Sequence, residues 1–466
     1  MTRTRAGKST MIVLMAVAVS LAWHLVPAPC HSGKAGIGWD NSIAEKKGKA
    51  RTVAELVKMW DSEHCGECHE QQQREWEQSA HSESVMGARR LGRKALAILQ
   101  IFDVAREKWP YAGLKEPSDV KVEHLAGCTR CHLPQLADAE DSVARELVAD
   151  FITWRDAARN KDEKTAHRIE EKLRGLTVNC LICHNRNAIV HKWTDGYPAK
   201  GVVYGSKDGQ HFCGQYPVVR KSPVMGEPVM CGQCHGAGPL LDRDNPSQCP
   251  TAYGYYLFEY QAVGGEETCQ ECHMRRTKLG HNIQSYRHPA MVKAGLDFSA
   301  DISRILTFDH EKPNPGPVYA PKIAVTVSMR NKSGHSIPDG CPTVARLALD
   351  VTAKSSDGNE IFFDEKFYMP IAQTYGRGNL MGRGPFEKTS MIVDTSLRPL
   401  TTVKERYEIP IPRELWDGTA KAQGAEKKEV EVTVKLVYLP YGTMKESDTP
   451  FTWHEIVKTV PLTEFD

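Results

Sequence analysis

Five times between residues 65 and 273 the chain repeats one pentapeptide: two cysteines separated by two residues, with a histidine directly after the second. The copies are Cys65-Gly-Glu-Cys68-His69, Cys128-Thr-Arg-Cys131-His132, Cys180-Leu-Ile-Cys183-His184, Cys231-Gly-Gln-Cys234-His235 and Cys269-Gln-Glu-Cys272-His273. Two thiols at this spacing reach the two vinyl groups of one porphyrin and form thioethers, and the next residue sets an imidazole on the iron from the same side. With 14 Cys and 18 His in 466 residues, chance supplies about 0.02 such pentapeptides. Zinc ribbons also use paired cysteines but do not require a histidine after every second one. A thioredoxin-like redox motif would occur once. The expectation is five covalently bound c-type haems. Their thioether residues are Cys65, Cys68, Cys128, Cys131, Cys180, Cys183, Cys231, Cys234, Cys269 and Cys272, and their proximal iron ligands are His69, His132, His184, His235 and His273.

The group on the far side of each iron decides what such a centre can do. A second histidine closes the site at low potential, methionine raises the potential, and an open position admits ligands. Thirteen of the 18 histidines lie outside the motifs, enough for histidine on both faces of the haems. His81 follows His69 by twelve residues on a stretch without a helix breaker. On one helix the two would stand about 18 Å apart, so His81 is expected to serve a different haem from His69. His124, four residues before Cys128, is a candidate for a neighbouring haem, as are His191 after the third motif and His281 and His288 after the fifth. His335 lies in "NKSGHSIPDG", where Gly and Pro set a tight loop, and completes the candidate distal set. His167 sits in a charged helical run and reads as a solvated residue; His64, His211, His310 and His454 carry no signal for ligation.

Residues 31–309 thus read as a pentahaem domain, mostly helix and loop with little regular core, since each motif has only about forty residues to itself. The longest helical signal lies between the second and third motifs, where Val143, Leu147, Phe151 and Trp154 recur at helical spacing. Cys213 to Cys249 is rich in Gly and Pro and reads as loop; those two cysteines form a candidate disulfide, and Cys341 has no evident partner. Residues 310–320 are a Pro-rich linker, and residues 321–466 alternate as antiparallel strands, a β-sandwich-like C-terminal domain without a haem motif. Residues 1–30 carry Arg3, Arg5 and Lys8 ahead of an apolar run from Met11 to Trp23, the pattern of a secretory signal peptide. An uncleaved membrane anchor is the other reading of that segment, and lipidation of Cys30 a third. Export to the periplasm or beyond agrees with c-type haem, which is attached outside the cytoplasm.

"CGECHEQQQREWEQSAH" resembles the opening of the exported multihaem cytochromes related to tetrahaem cytochrome c and hydroxylamine oxidoreductase, and "CQECHM … SYRHPAM" is similar to a later segment of that family. "RNKSGHSIPDG … ARLALDV" with "DTSLRPLTTVKERYEIPIP" looks like the β domain appended to many of its members. The resemblance implies closely packed haems, mostly with two histidine ligands, and His81 and His288 as distal ligands by position. It departs from the catalytic members, which carry eight motifs or a lysine in place of one motif histidine. The expected function is electron transfer from haem to haem, outside the cytoplasm. The competing readings are a reductase or oxidase of a small nitrogen or sulfur compound at one five-coordinate haem, and a subunit of a cytochrome filament. Expected partners are redox proteins, such as a quinol-linked donor or another cytochrome, with membrane association through the N-terminus and a homo-oligomer as further candidates. A net charge of +2 gives no reason to invoke nucleic acid.

Overall fold

The computed structural model describes residues 49–85, 114, 116–188, 201–236, 252–309, 318–339, 345–374, 388–416, 429–440, 442–446 and 449–462. The expected export segment, Cys30, His191, Cys249, His310 and Cys341 lie outside the described residues. No helix among the described residues is long and apolar enough to cross a membrane.

The first half is helical: α1 (Val53–Met59), α2 (Glu70–Glu77), α3 (Val122–His132), α4 (Asp141–Asn160), α5 (Glu163–Leu173), α6 (Cys180–His184) and α7 (Pro228–His235), then α8 (Ala252–Tyr255) and α9 (Pro289–Gly295). The apolar stripe read from sequence falls on α4, where Val143, Leu147, Phe151 and Trp154 are buried. The helical signal does not run unbroken. Lys161 takes a left-handed φ of 58° and ends α4, and Asp162 caps α5 by accepting from the Thr165 amide. The two helices are then tied together: Trp154 Nε1 donates to Glu170 at 3.0 Å, and Lys172 reaches Glu146 and Asp150 at 2.7 Å each.

Leu56, Trp60, Leu133, Leu136, Leu147, Phe151, Ile169, Leu173, Leu176 and Leu181 are fully buried and belong to one cluster. Burying each such side chain contributes about 1.5–3 kcal/mol. The haem-bearing half therefore has more apolar core than forty residues per motif suggested, and it reaches into the third motif. The third motif grows straight out of it: Leu181 and Ile182 of α6 are buried there, and Asn179 caps the helix while its side-chain amide donates to Trp60 O at 2.6 Å.

A small sheet of order β1-β3-β2 follows, from β1 (Val202–Gly205), β2 (Gly209–Gln210) and β3 (Val218–Lys221). The stretch from Cys213 onward is not all loop, because the fourth motif closes α7, which starts on Pro228 at its first turn.

The second half is antiparallel. One sheet has the order β10-β5-β4, from β4 (Leu296–Asp309), β5 (Val318–Asn331) and β10 (Thr402–Pro410). A second has the order β12-β11-β6-β7, from β6 (Arg346–Ser355), β7 (Glu360–Tyr368), β11 (Glu429–Leu439) and β12 (Phe451–Pro461). β8 (Pro370–Thr374) and β9 (Lys388–Asp394) form a separate pair, and none of these sheets closes into a barrel. Both large sheets feed one core: Ile323, Val325, Val327 and Met329 from the first meet Leu347, Leu349, Val351, Val430, Val432, Val434 and Leu436 from the second. Strand structure begins at Leu296, well before the Pro-rich stretch read as a linker. β4 pairs with β5 from Leu296↔Asn331 to Asp309↔Val318, so that stretch joins two paired strands.

Candidate haem centres

Among the described residues four pairs of imidazoles face each other, and each pair joins a motif histidine to one from outside the motifs. His69 faces His211 with ring centroids 6.0 Å apart. His235 faces His81 at 6.2 Å, His184 faces His281 at 6.2 Å, and His273 faces His335 at 6.4 Å. Aromatic rings often lie at such separations in ordinary packing, so distance alone does not decide. What decides is the composition, because the pairing never joins two motif histidines or two others. One metal between two imidazoles, with metal–nitrogen bonds of about 2 Å, requires about 6 Å between ring centroids. The residues fit a haem iron held from both faces.

The ring nitrogens are set for it. An imidazole whose Nδ1–H is given to a carbonyl presents the Nε2 lone pair to a metal. His184 Nδ1 bonds Tyr204 O at 2.9 Å, His211 bonds Tyr216 O at 2.8 Å, and His335 bonds Ser336 O at 3.0 Å. His132, at the end of α3, bonds Ser84 O at 3.2 Å and so is oriented in the same way. Burial lowers the pKa of His184 and His235 and brings His273 down to about 4. Burial first, then the neighbouring His211 and His281, lowers His69. Neutral imidazoles with free lone pairs are what iron requires.

Of the distal candidates read from sequence, His81, His281 and His335 each stand opposite a motif histidine. His124 and His288 do not appear in these pairs and are engaged otherwise. His124 Nδ1 accepts from the Lys121 amide at 3.0 Å, and His288 Nδ1 accepts from the Ala290 amide at 3.3 Å. Each caps the start of its own helix through Nδ1. His211 carried no sequence signal; it is set by the turn after β2, where its amide donates to Pro217 O at 2.9 Å.

α2 ends at Glu77 instead of running on to His81. Ser82 Oγ donates to Glu77 O at 2.9 Å, and Ser79 Oγ accepts from the amide of His81 at 3.2 Å. Hydroxyls that bond local backbone in this way compete with the helix, and the resulting turn points His81 at the fourth motif.

The centres are neighbours. Cys65 and Cys180 lie close enough for each to shift the other's ionisation, so the first and third motifs adjoin. Cys231 and Cys269 do the same for the fourth and fifth. In a loaded protein these thiols would be thioethers. Cys131 Sγ donates to Cys234 O at 3.3 Å, which sets the second motif against the fourth. Gly232 of the fourth motif is packed under Tyr253: an added Cβ would meet its ring at 2.5 Å. Tyr253, Tyr256 and Tyr260 stack along one face, and a Cβ on Gly334, beside His335, would meet Tyr256 at 3.2 Å.

No protein-family model matches the chain, and no curated protein matches it. An overlap with a crystal structure described provisionally as a beta-galactosidase, from Bacteroides fragilis, covers 34% of this chain and 15% of that one at 13% identity and a TM-score of 0.17, and carries no argument. The penta-haem cytochrome c552 of Thermochromatium tepidum is similar over 88% of this chain and 100% of its own, at 19% identity and a TM-score of 0.50. The chain therefore has the fold of a penta-haem cytochrome c.

Proposed function

We propose that this protein is a penta-haem c-type cytochrome that passes electrons from haem to haem outside the cytoplasm. The observation that carries the reading is the set of four histidine pairs at 6.0–6.4 Å, each containing one motif histidine. The assigned pairs are His69 with His211, His235 with His81, His184 with His281, and His273 with His335. His132 holds the second haem from its proximal side. Bound haem supplies a one-electron iron couple. The chain's own residues would orient the imidazoles, keep them neutral and hold four of the five haems from both faces. Closed centres suit electron transfer between porphyrin edges and leave no position there for a substrate. The partners proposed are other redox proteins.

Two measurements on the intact exported protein test this. Its mass should exceed that of the mature polypeptide by five haems. Its ferric spectrum should be dominated by low-spin haem that does not respond to cyanide, nitric oxide or hydroxylamine. A mass short of five haems would remove the central claim, and a haem that binds these ligands would favour an enzyme at that haem instead.

A further inference from the structure

Glu75 stands between three centres. It lies on α2, after His69 of the first centre and before His81 of the fourth, yet its carboxylate turns to the third. Its Oε2 accepts the amide of His281 at 2.8 Å and lies 3.6 Å from His281 Nδ1. Its other oxygen accepts from Gln71 Nε2 at 2.8 Å. The side chain is 24% exposed, so water screens it only in part. The chain makes room for it on purpose-built backbone. Gly280 adopts φ +57°, and a Cβ there would land on the Glu75 carboxylate. His184, His211 and His335 instead direct Nδ1 at neutral backbone carbonyls. At His281 a charged group takes that place.

We propose that Glu75 is a positioning residue that lowers the reduction potential of the third haem by acting through His281. The proposal rests on the reading of His281 as an iron ligand. An anion beside the outer nitrogen of an axial imidazole strengthens the ring as a donor and favours the ferric over the ferrous state. One short helix and the residues flanking it then tie three centres together: the proximal ligand of the first, the charge behind the third and the distal ligand of the fourth.

The test is a potentiometric titration of the full-length, haem-loaded protein followed by visible and paramagnetic resonance spectra. Glu75→Gln keeps the shape and removes the charge. It should raise one haem potential while haem content and the low-spin spectrum stay as they are. The expected change is about tenfold in that haem's reduction equilibrium, which is about 59 mV for a one-electron couple. Gly280→Ala displaces the carboxylate without deleting it and should shift the same haem in the same direction. His281→Ala separates the two claims, since it should turn one haem high-spin. If it does so while neither Glu75→Gln nor Gly280→Ala moves any potential, the role of Glu75 is overturned and the ligand stands. If all haems stay low-spin in His281→Ala, the ligand assignment fails and the proposal with it.

Discussion

His211 is the residue on which the assignment of the first centre turns. It faces His69 at 6.0 Å with its Nδ1 tied to Tyr216 O, so His211→Ala should leave one haem with an open axial position. The expected outcome is high-spin character in one haem of the five, with cyanide now binding there and haem content unchanged. A purely low-spin spectrum that ignores cyanide would sink the pairing. The proximal residues were legible in the sequence because thioether chemistry demands Cys, Cys and His within five consecutive positions. The distal residues were not, because an imidazole on the opposite face can arrive from anywhere in the chain. His211 lies in "GQHFCGQYP", with no spacing that marks it, and only the turn after β2 carries it into place. His124 and His288 sit close to motifs in sequence, yet the nearest amides claim their Nδ1 atoms for helix caps.

At the scale of elements, period was the reliable signal. The stripe on α4 and the alternation of the later strands were both legible, because burial on one face imposes them. Leu147, fully buried on α4, tests how much the apolar core matters beside the haems. Leu147→Ala should cost about 2–5 kcal/mol in denaturant unfolding of the loaded protein; a loss under about 1 kcal/mol would mean that bound haem alone carries this half. Where β4 starts was not legible, because the Pro-rich stretch after it reads as a boundary while long-range pairing with β5 overrides that cue. The sheets also hold an electrostatic fault. Asp350 on β6 lies opposite Glu365 on β7 and Lys435 on β11. Lys435 is also engaged by Glu455 at 2.9 Å, and Asp350 Oδ1 is buried without a hydrogen-bond partner. Burial, then repulsion from Glu365, raises the Asp350 pKa to about 6, against a smaller lowering by Lys435. Its folded pKa lies above its unfolded one, so between about pH 4 and 6 the folded state binds the extra proton. Stability from this group is greatest below that window and is lost as pH rises through it. Asp350→Asn should remove roughly 1–3 kcal/mol of that loss. The check is the difference between variant and wild-type melting across pH 4–8, and an identical pH profile would refute the assignment.

Across the whole molecule, the motifs run from first to fifth along the chain but are not arranged that way in space. Cys65 lies near Cys180, so the first centre neighbours the third. Cys231 lies near Cys269, so the fourth neighbours the fifth. Burial and then the nearby Cys234 raise the Cys183 pKa, and Cys131 reaches the backbone of Cys234. These contacts imply a line from first to third to fourth to fifth, with the second joined at the fourth. The first centre then stands at one end of that line. The third centre is then the bridge, and its loss should cut the line in two. Replacing both Cys180 and Cys183 with Ala should yield protein with one haem fewer, in which the paramagnetic resonance signal of the first haem loses its interaction with a neighbour. The fourth and fifth haems should keep theirs. Reduction entering at the first haem should then reach the others more slowly than in the wild type. If the first haem still shows a neighbour's spin and still equilibrates at the original rate, the line runs by another route, and contacts between attachment cysteines are no guide to the path.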